Sequence, residues 1–214
     1  MPVVTAIEPH SRRGGRFTVS LDGRVVGLVS LDSLDRLGLR TGVALAESDA
    51  NALEREVACV AAYDRALAML AVRARAGREL RLALRRKGEA EFAIDYAIER
   101  LTAAGFLDDA AYARQFARAK FLGARLSRRR VESELIRRGV PRDMAVDAIS
   151  EVVDEERVDA DSLIEDAARR KVRSLGSVAP EVARRRLYAF LARRGFAPDE
   201  IRRVVDRLTP QRRA

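Results

Sequence analysis

Basic side chains recur in this chain at one kind of place. Arg85-Arg86-Lys87, Arg137-Arg138 and Arg193-Arg194 each run directly into a glycine: Gly88, Gly139 and Gly195. Upstream of each run stand further arginines: Arg78 and Arg81, then Arg125, Arg128, Arg129 and Arg130, then Arg184, Arg185 and Arg186. A guanidinium is a permanent cation whose planar fork donates paired hydrogen bonds to phosphate or carboxylate. These three groups are therefore the candidate contacts to a polyanion or to an acidic partner. The chemistry of catalysis is thin by comparison. No glycine-rich phosphate loop of the form G-x-x-x-x-G-K-[ST] occurs. The one histidine, His10, lies in a basic loop without a second ligand nearby and is expected to be exposed. The one cysteine, Cys59, falls in the apolar run Val57–Ala62 and reads as a small buried hydrophobe. Asp108 and Asp109 precede a helical pattern and read as helix-capping carboxylates, with no metal, cofactor or catalytic residue expected.

The elements that present the arginines repeat with them. Apolar residues stand eight and four positions before each glycine: Leu80 and Leu84, Val131 and Leu135, Leu187 and Leu191. A spacing of four puts both on one helix face, cations suit the negative end of the helix dipole, and glycine suits the left-handed residue after it. Beyond each glycine, offsets of 6, 9, 10 and 13 hold Ile94, Ala97, Ile98 and Leu101, then Ala145, Ala148, Ile149 and Val152, then Ile201, Val204, Val205 and Leu208. All twelve are apolar at the spacing of a buried helical stripe. The glycines are 51 and 56 residues apart, which leaves room for three helices in each copy.

Taken in order, Val3–Glu8, Arg16–Asp22 and Arg24–Ser30 read as short strands, with Asp22-Gly23 as a hairpin turn and Gly27 as a bulge or close backbone approach. Asp32–Leu37 reads as a short helix ended by Gly38. Ser48–Arg75 is a long helical pattern capped by Ser48 or Asp49, with a break expected before Tyr63. Arg78–Lys87 and Glu91–Ala104 complete the first copy. Ala110–Leu122, a helix opened by Ser127, and one begun at Pro141 form the second. Asp159–Lys171, a looser Val172–Val182, the helix through Leu187 and one opened by Pro198 form the third, and Pro210 closes the fold before a frayed tail. The expected fold is mainly α: three tandem three-helix repeats in an elongated array after a small N-terminal β-hairpin module. The expected divisions are 1–58, 59–107, 108–157 and 158–214.

Composition agrees. Aromatics make up 5% of the 214 residues and tryptophan is absent, which suits small stacked modules better than one large core. Residues 1–58 carry seven arginines and eight carboxylates, whereas the remainder carries 34 basic and 24 acidic side chains, so the net +9 belongs to the helical part. That asymmetry favours a polyanionic neighbour, most often nucleic acid. No apolar run reaches the length of a membrane span, no signal segment opens the chain, and a single cysteine suits a reducing compartment, so a cytoplasmic setting and no membrane partner are expected.

The motif R-x-L-x-x-x-L-x-x-x-G, carried by Arg78, Leu80, Leu84 and Gly88, is followed by Gly105-Phe106-Leu107-Asp108-Asp109-Ala110-Ala111-Tyr112-Ala113. Together with the tandem three-helix units, these resemble the RecX family of bacterial recombinase regulators over residues 59–209. The third copy departs from the pattern by a longer loop over Gly176–Val182. The resemblance implies binding to the RecA filament on single-stranded DNA and restraint of its ATPase, strand-exchange and coprotease activities; a monomer is expected. It carries over no catalytic residues. The alternative is a sequence-independent DNA-binding protein with helix-turn-helix-like units. Sequence-specific readout is disfavoured, because Asn51, Gln115 and Gln211 are the only amide side chains.

Overall fold

The six apolar residues that precede the repeated glycines are sealed from water: Leu80, Leu84, Val131, Leu135, Leu187 and Leu191 are each 0% exposed in the computed structural model, which describes residues 1–176 and 178–209. Of the twelve apolar positions that follow the glycines, all are buried except Ile98 and Leu208, which are half-buried against the same cores. Gly88, Gly139 and Gly195 take φ of +84°, +95° and +86°, the left-handed region that an L side chain rarely adopts. The fold is mainly helical with one small sheet. Its contacts divide it into two units, Met1–Asp108 and Asp109–Ala214.

The first unit opens with a three-stranded antiparallel sheet in the order β1 (Val4–Pro9), β2 (Arg16–Leu21), β3 (Arg24–Ser30). Asp22 and Gly23, at φ of +47° and +78°, make the tight turn that matches the strands' twist. Gly27 sits where the β2–β3 register shifts, and a Cβ there would lie 2.2 Å from Val57 Cγ1. Both readings of that glycine hold, because a helix crosses the sheet at the bulge. Helix α1 (Leu31–Arg36) is capped by Ser30, whose hydroxyl accepts from the Ser33 N–H. Helix α2 (Glu47–Val72) follows.

Three expectations change at α2. Its N-cap is Ala46, with no side-chain bond, and Ser48 and Asp49 lie inside the first turn. No break precedes Tyr63, since the run Ala58-Cys59-Val60-Ala61-Ala62 offers neither glycine nor proline to interrupt it. The boundary expected at 58/59 therefore falls within one continuous helix. That helix places Leu53 in the core of the sheet module and Cys59, Ala62 and Ala66 in the core of the first repeat. Polar ties fix the same arrangement. Asp64 of α2 accepts from Arg16 at 2.6 Å and from Arg13 at 2.9 Å, and the buried Glu56 accepts from Ser33 Oγ at 2.6 Å and pairs with Arg36. Helices α3 (Gly77–Arg85) and α4 (Glu91–Ala103) complete the repeat. Leu107, just beyond α4, is buried in this first core.

In the second unit α5 (Asp109–Arg118) begins at the acidic junction and passes into a π-helical turn over Ala119–Ala124, where an α-helix to Leu122 is expected. The wider turn carries Phe121, 0% exposed, into the interior and ends on Arg125 at φ +50°. Arg125 holds that end itself, donating to the Leu122 and Gly123 carbonyls at 3.1 and 3.3 Å. Then come α6 (Arg128–Arg137), α7 (Arg142–Glu155), α8 (Ala160–Leu175), α9 (Pro180–Arg193) and α10 (Pro198–Leu208). Helix α8 runs past the expected end at Lys171, because Val172 still packs on the third core, and stops at Gly176 with φ +61°. The looser segment is correspondingly shorter. Pro210 and the tail beyond it lie outside the described residues.

The second and third repeats are joined end to end by a serine. Ser127 caps α6 by accepting from the Arg130 N–H at 3.2 Å. Its hydroxyl also donates to the Gly195 carbonyl at 2.7 Å, and its own N–H donates to the Arg194 carbonyl at 3.0 Å. The negative end of α9 thus meets the positive end of α6. A Cβ on Gly195 would lie 2.6 Å from Arg130 Cβ, so the glycine serves the junction as well as the turn.

Two expectations follow. Leu135→Ala should lower the unfolding free energy by about 2–5 kcal/mol, from lost burial and an unfilled cavity, read by chemical denaturation of the full chain. Ser127→Ala should cost about 0.5–2 kcal/mol through the lost cap. Hydrogen exchange in that variant should rise at the first turn of α6 and not at α4.

Candidate nucleic-acid and partner interface

The structure separates the sixteen sequence-selected basic residues by what each already holds. In the first group Arg81 pairs with Glu91 at 2.8 Å and also with Asp95, and Arg85 pairs with Glu91 at 2.6 Å. The position of Arg81 has a counterpart in the second repeat, seven residues before the glycine, occupied by Glu132. That residue pairs at 3.1 Å with Arg142, which is the counterpart of Glu91 three residues after the glycine. The two repeats therefore make one bridge with its charges exchanged, which assigns Arg81 to the fold. Arg78, Arg86 and Lys87 are exposed, with no carboxylate partner among the described residues.

In the second group Arg125 is spent on the π-helical turn, with Asp166 at 3.7 Å. Arg130 pairs with Glu134 at 2.9 Å, and the same carboxylate has Lys120 at 3.8 Å and Arg137 at 3.9 Å. One carboxylate cannot neutralise three cations, and Arg137, 67% exposed, is the loosest of them. Arg138 lies 4.9 Å over the Phe116 ring and donates to Tyr112 Oη at 3.3 Å. Among the described residues Arg128 donates only to Ser150 Oγ, at 3.3 Å, and Arg129 is exposed without an acidic partner.

In the third group Arg184 pairs with Asp206. Arg194 lies 4.3 Å over the Phe190 ring, and burial, then the charge of Arg125, pull its guanidinium below the ordinary value. Arg185, Arg186 and Arg193 are exposed, with no carboxylate partner among the described residues. Helix α9 begins at Pro180, so Arg184–Arg186 occupy its second turn rather than its opening, unlike Arg128–Arg130 on α6.

Of the sixteen, those free among the described residues to take an external anion are thus Arg78, Arg86 and Lys87; Arg128, Arg129 and, loosely, Arg137; and Arg185, Arg186 and Arg193. The sequence sorts them only in part: Arg130 finds Glu134 four positions along its own helix, whereas Arg81 pairs with Glu91 and Asp95, 10 and 14 positions away.

Nucleophilic chemistry finds little support. Cys59 is buried, and burial, then the nearby Glu56 charge, push its thiol up. His10 is half-buried rather than exposed, and its Nδ1 accepts from the Arg12 N–H at 3.2 Å. The first unit also has a cleft of about 450 Å³ beside α1, α2 and α4, with arginines and aromatic rings in its wall.

Comparison with known proteins gives a consistent family. Descriptions for RecX match in order: the first three-helix domain over residues 62–101, the second over 108–149 and the third over 159–205. The regulatory protein RecX of Amycolatopsis mediterranei (strain U-32) is 38% identical over 128 residues, which is 60% of this chain and 71% of the relative. That of Prosthecochloris aestuarii is 31% identical over 147 residues, 69% of this chain and 93% of the relative. A crystal structure of a regulatory protein RecX matches with a TM-score of 0.71 at 20% identity, over 96% of this chain and 100% of the other. RecX from Lactobacillus salivarius matches at 0.55 and 19%, over 71% and 96%. At those identities the two structures speak to the fold alone. Among the described residues no helix is long and apolar enough to cross a membrane.

Glu91 gives the site a measurable electrostatic signature. Hydrogen bonding to Arg85, reinforced by Arg81, lowers its carboxyl from 4.5 to about 2. A depressed carboxyl stabilises the fold fully above its ordinary value of 4.5 and loses that contribution as pH falls through about 2. Carbon-detected NMR titration should therefore find Glu91 still ionised at pH 3. Glu91→Gln should remove this titration and release Arg85, while Asp95 keeps hold of Arg81, raising affinity for a polyanion about twofold at low salt.

Proposed function

The chain belongs to the RecX family of regulatory proteins, and from that premise we propose that it binds the helical filament formed by RecA on single-stranded DNA. On this reading it restrains the filament's ATP hydrolysis, strand exchange and coprotease activity, in the cytoplasm, as a monomer and without a reaction or cofactor of its own. The contact modules are the repeats at 59–107, 108–157 and 158–214, behind the sheet module and the start of α2 at 1–58.

The observation that carries the proposal is the distribution of unpaired cations. Of the sixteen sequence-selected residues, each repeat keeps two or three with no close carboxylate among the described residues: Arg78, Arg86 and Lys87; Arg128 and Arg129, with Arg137 only loosely held by Glu134 at 3.9 Å; Arg185, Arg186 and Arg193. An isolated exposed arginine is unremarkable. A set presented once per repeat suits a partner that is itself periodic and polyanionic. Direct binding to bare DNA is the competing account, and salt separates the two. Phosphate neutralisation releases counterions and weakens steeply with salt, whereas protein–protein burial does not.

The test is titration against bare single-stranded DNA and against a RecA–DNA filament over a salt series, with RecA ATPase followed alongside. Filament binding should outlast bare-DNA binding, and ATP hydrolysis should slow while the DNA is still unsaturated. Arg128→Glu with Arg129→Glu should weaken both ligands by at least tenfold and leave helical content intact. Arg130 is excluded from this variant because it holds Glu134. If both ligands dissociate in parallel and hydrolysis never slows, the chain is a DNA-binding protein and not a filament regulator.

A further inference from the structure

We propose that the cleft in the first unit is a second binding site, for one or two nucleotides of single-stranded nucleic acid, distinct from the arginine groups assigned above. Its wall holds Arg36 of α1, Arg55 of α2, and Phe92, Tyr96 and Arg100 of α4, with Asp32 and Glu56 as the facing carboxylates. Glu56 is neutralised by Arg36 and accepts a hydrogen bond from the Ser33 hydroxyl, and Asp32 is exposed. Arg55 and Arg100 are not neutralised. Neither has a carboxylate partner among the described residues, and each lies on an aromatic ring: Arg55 at 4.1 Å over Phe92 and Arg100 at 5.9 Å over Tyr96.

Comparison of the repeats isolates these positions. Helices α4, α7 and α10 all begin three residues after their glycine. At offsets 4, 8 and 12, which share a helix face, α4 carries Phe92, Tyr96 and Arg100. The same offsets carry Asp143, Asp147 and Glu151 on α7, and Asp199, Arg203 and Arg207 on α10, all exposed. The repeat architecture therefore does not require aromatic residues there. Phe92 and Tyr96 are half-buried and pack in part on the first core, and their remaining surface borders a cleft of about 450 Å³ that keeps two uncompensated guanidiniums in its wall.

The chemistry selects the ligand. A guanidinium lying on a ring offers a flat cation on which a nucleobase stacks, and the same guanidinium donates to the adjoining phosphate. An acidic peptide would use the charges and leave the stacking surface idle. Duplex DNA keeps its base faces inside the stack, out of reach of such a wall. Residues 1–58, with net charge −1, give no hint of this site, because it is assembled with α4.

The experiment uses the full chain and a fluorescein-labelled oligothymidylate of eight nucleotides, followed by anisotropy over a salt series. Arg55→Ala with Arg100→Ala should lower affinity about tenfold and reduce the logarithmic salt slope by about 1.4, the loss expected for two phosphate contacts on a single strand. Tyr96→Leu should weaken the oligothymidylate several-fold without weakening an abasic strand of equal length, and Tyr96→Phe should restore it. Thiothymidine photo-crosslinking should label the peptide containing Phe92–Arg100. Arg128→Ala with Arg129→Ala should leave that labelling in place. Displacement by millimolar thymidine monophosphate as effective as by the strand would show a free-nucleotide site and overturn the proposal. So would an unchanged slope in the Arg55/Arg100 variant, an abasic strand bound as tightly as oligothymidylate, or no label at Phe92–Arg100. Both arginines are exposed, so their variant keeps its fold, verified by its thermal melt. None of these outcomes bears on RecA ATPase, which tests the regulator reading separately.

Discussion

A helix of nine or ten residues does not hold itself together in water, and α3 and α6 are that short. Each persists because two apolar side chains one turn apart are withdrawn from water by the helices before and after it. Burial of a leucine contributes about 1.5–3 kcal/mol, and Leu80 with Leu84, like Val131 with Leu135, are fully buried. The rest of each repeat follows. Once these residues face inward, those just before the glycine fall on the last turn, where free carbonyls favour cations. The glycine then reverses the chain through positive φ, and the next helix starts three residues later in all three copies. Basic residues beside each glycine are a consequence of this geometry before they are anything else.

Net charge is consequently a poor map of available charge. The chain carries +9 overall, yet many of its arginines are committed. The bridge between Arg81 and Glu91 recurs as Glu132 with Arg142, charges exchanged, so the interaction is retained while its polarity is not. Arg138 and Arg194 lie on Phe116 and Phe190, where the planar cation covers apolar surface. What distinguishes Arg128 and Arg129 from Arg130 is one carboxylate, Glu134, a turn further along the same helix.

The core was legible in the sequence because it rests on short-range periodicity. Spacings of four, and offsets counted from a glycine, identify eighteen positions, and all eighteen are buried or half-buried. The hairpin at Asp22-Gly23 and the Ser127 cap were legible for the same local reason. What escaped depends on distant partners. The continuity of α2 past Tyr63 reflects two cores sharing one helix, and the π-helical turn answers a demand to bury Phe121. The second task of Ser127, holding the Arg194 and Gly195 carbonyls, joins residues nearly seventy positions apart. The wall of the first-unit cleft had a local signal, the i, i+4, i+8 spacing of Phe92, Tyr96 and Arg100. It becomes visible when aligned with Asp143, Asp147 and Glu151 rather than read alone.

Repetition also decides where function can reside. Positions that recur in type, such as Leu84, Leu135 and Leu191, answer to the core and tell one repeat from another hardly at all. Positions that differ between copies are released from that demand. Seven residues before the glycine stand Arg81, Glu132 and Tyr188; the first two bridge to the following helix, and the third, where Pro198 stands at the bridging position, has no charge to bridge. Twelve residues after it stand Arg100, Glu151 and Arg207, of which Glu151 and Arg207 form ion pairs and Arg100 does not. An architecture that holds its interior constant can change its exterior one repeat at a time, because each outward residue is tied to few neighbours. The residues that make this chain act on a particular partner are therefore to be sought where the three copies disagree.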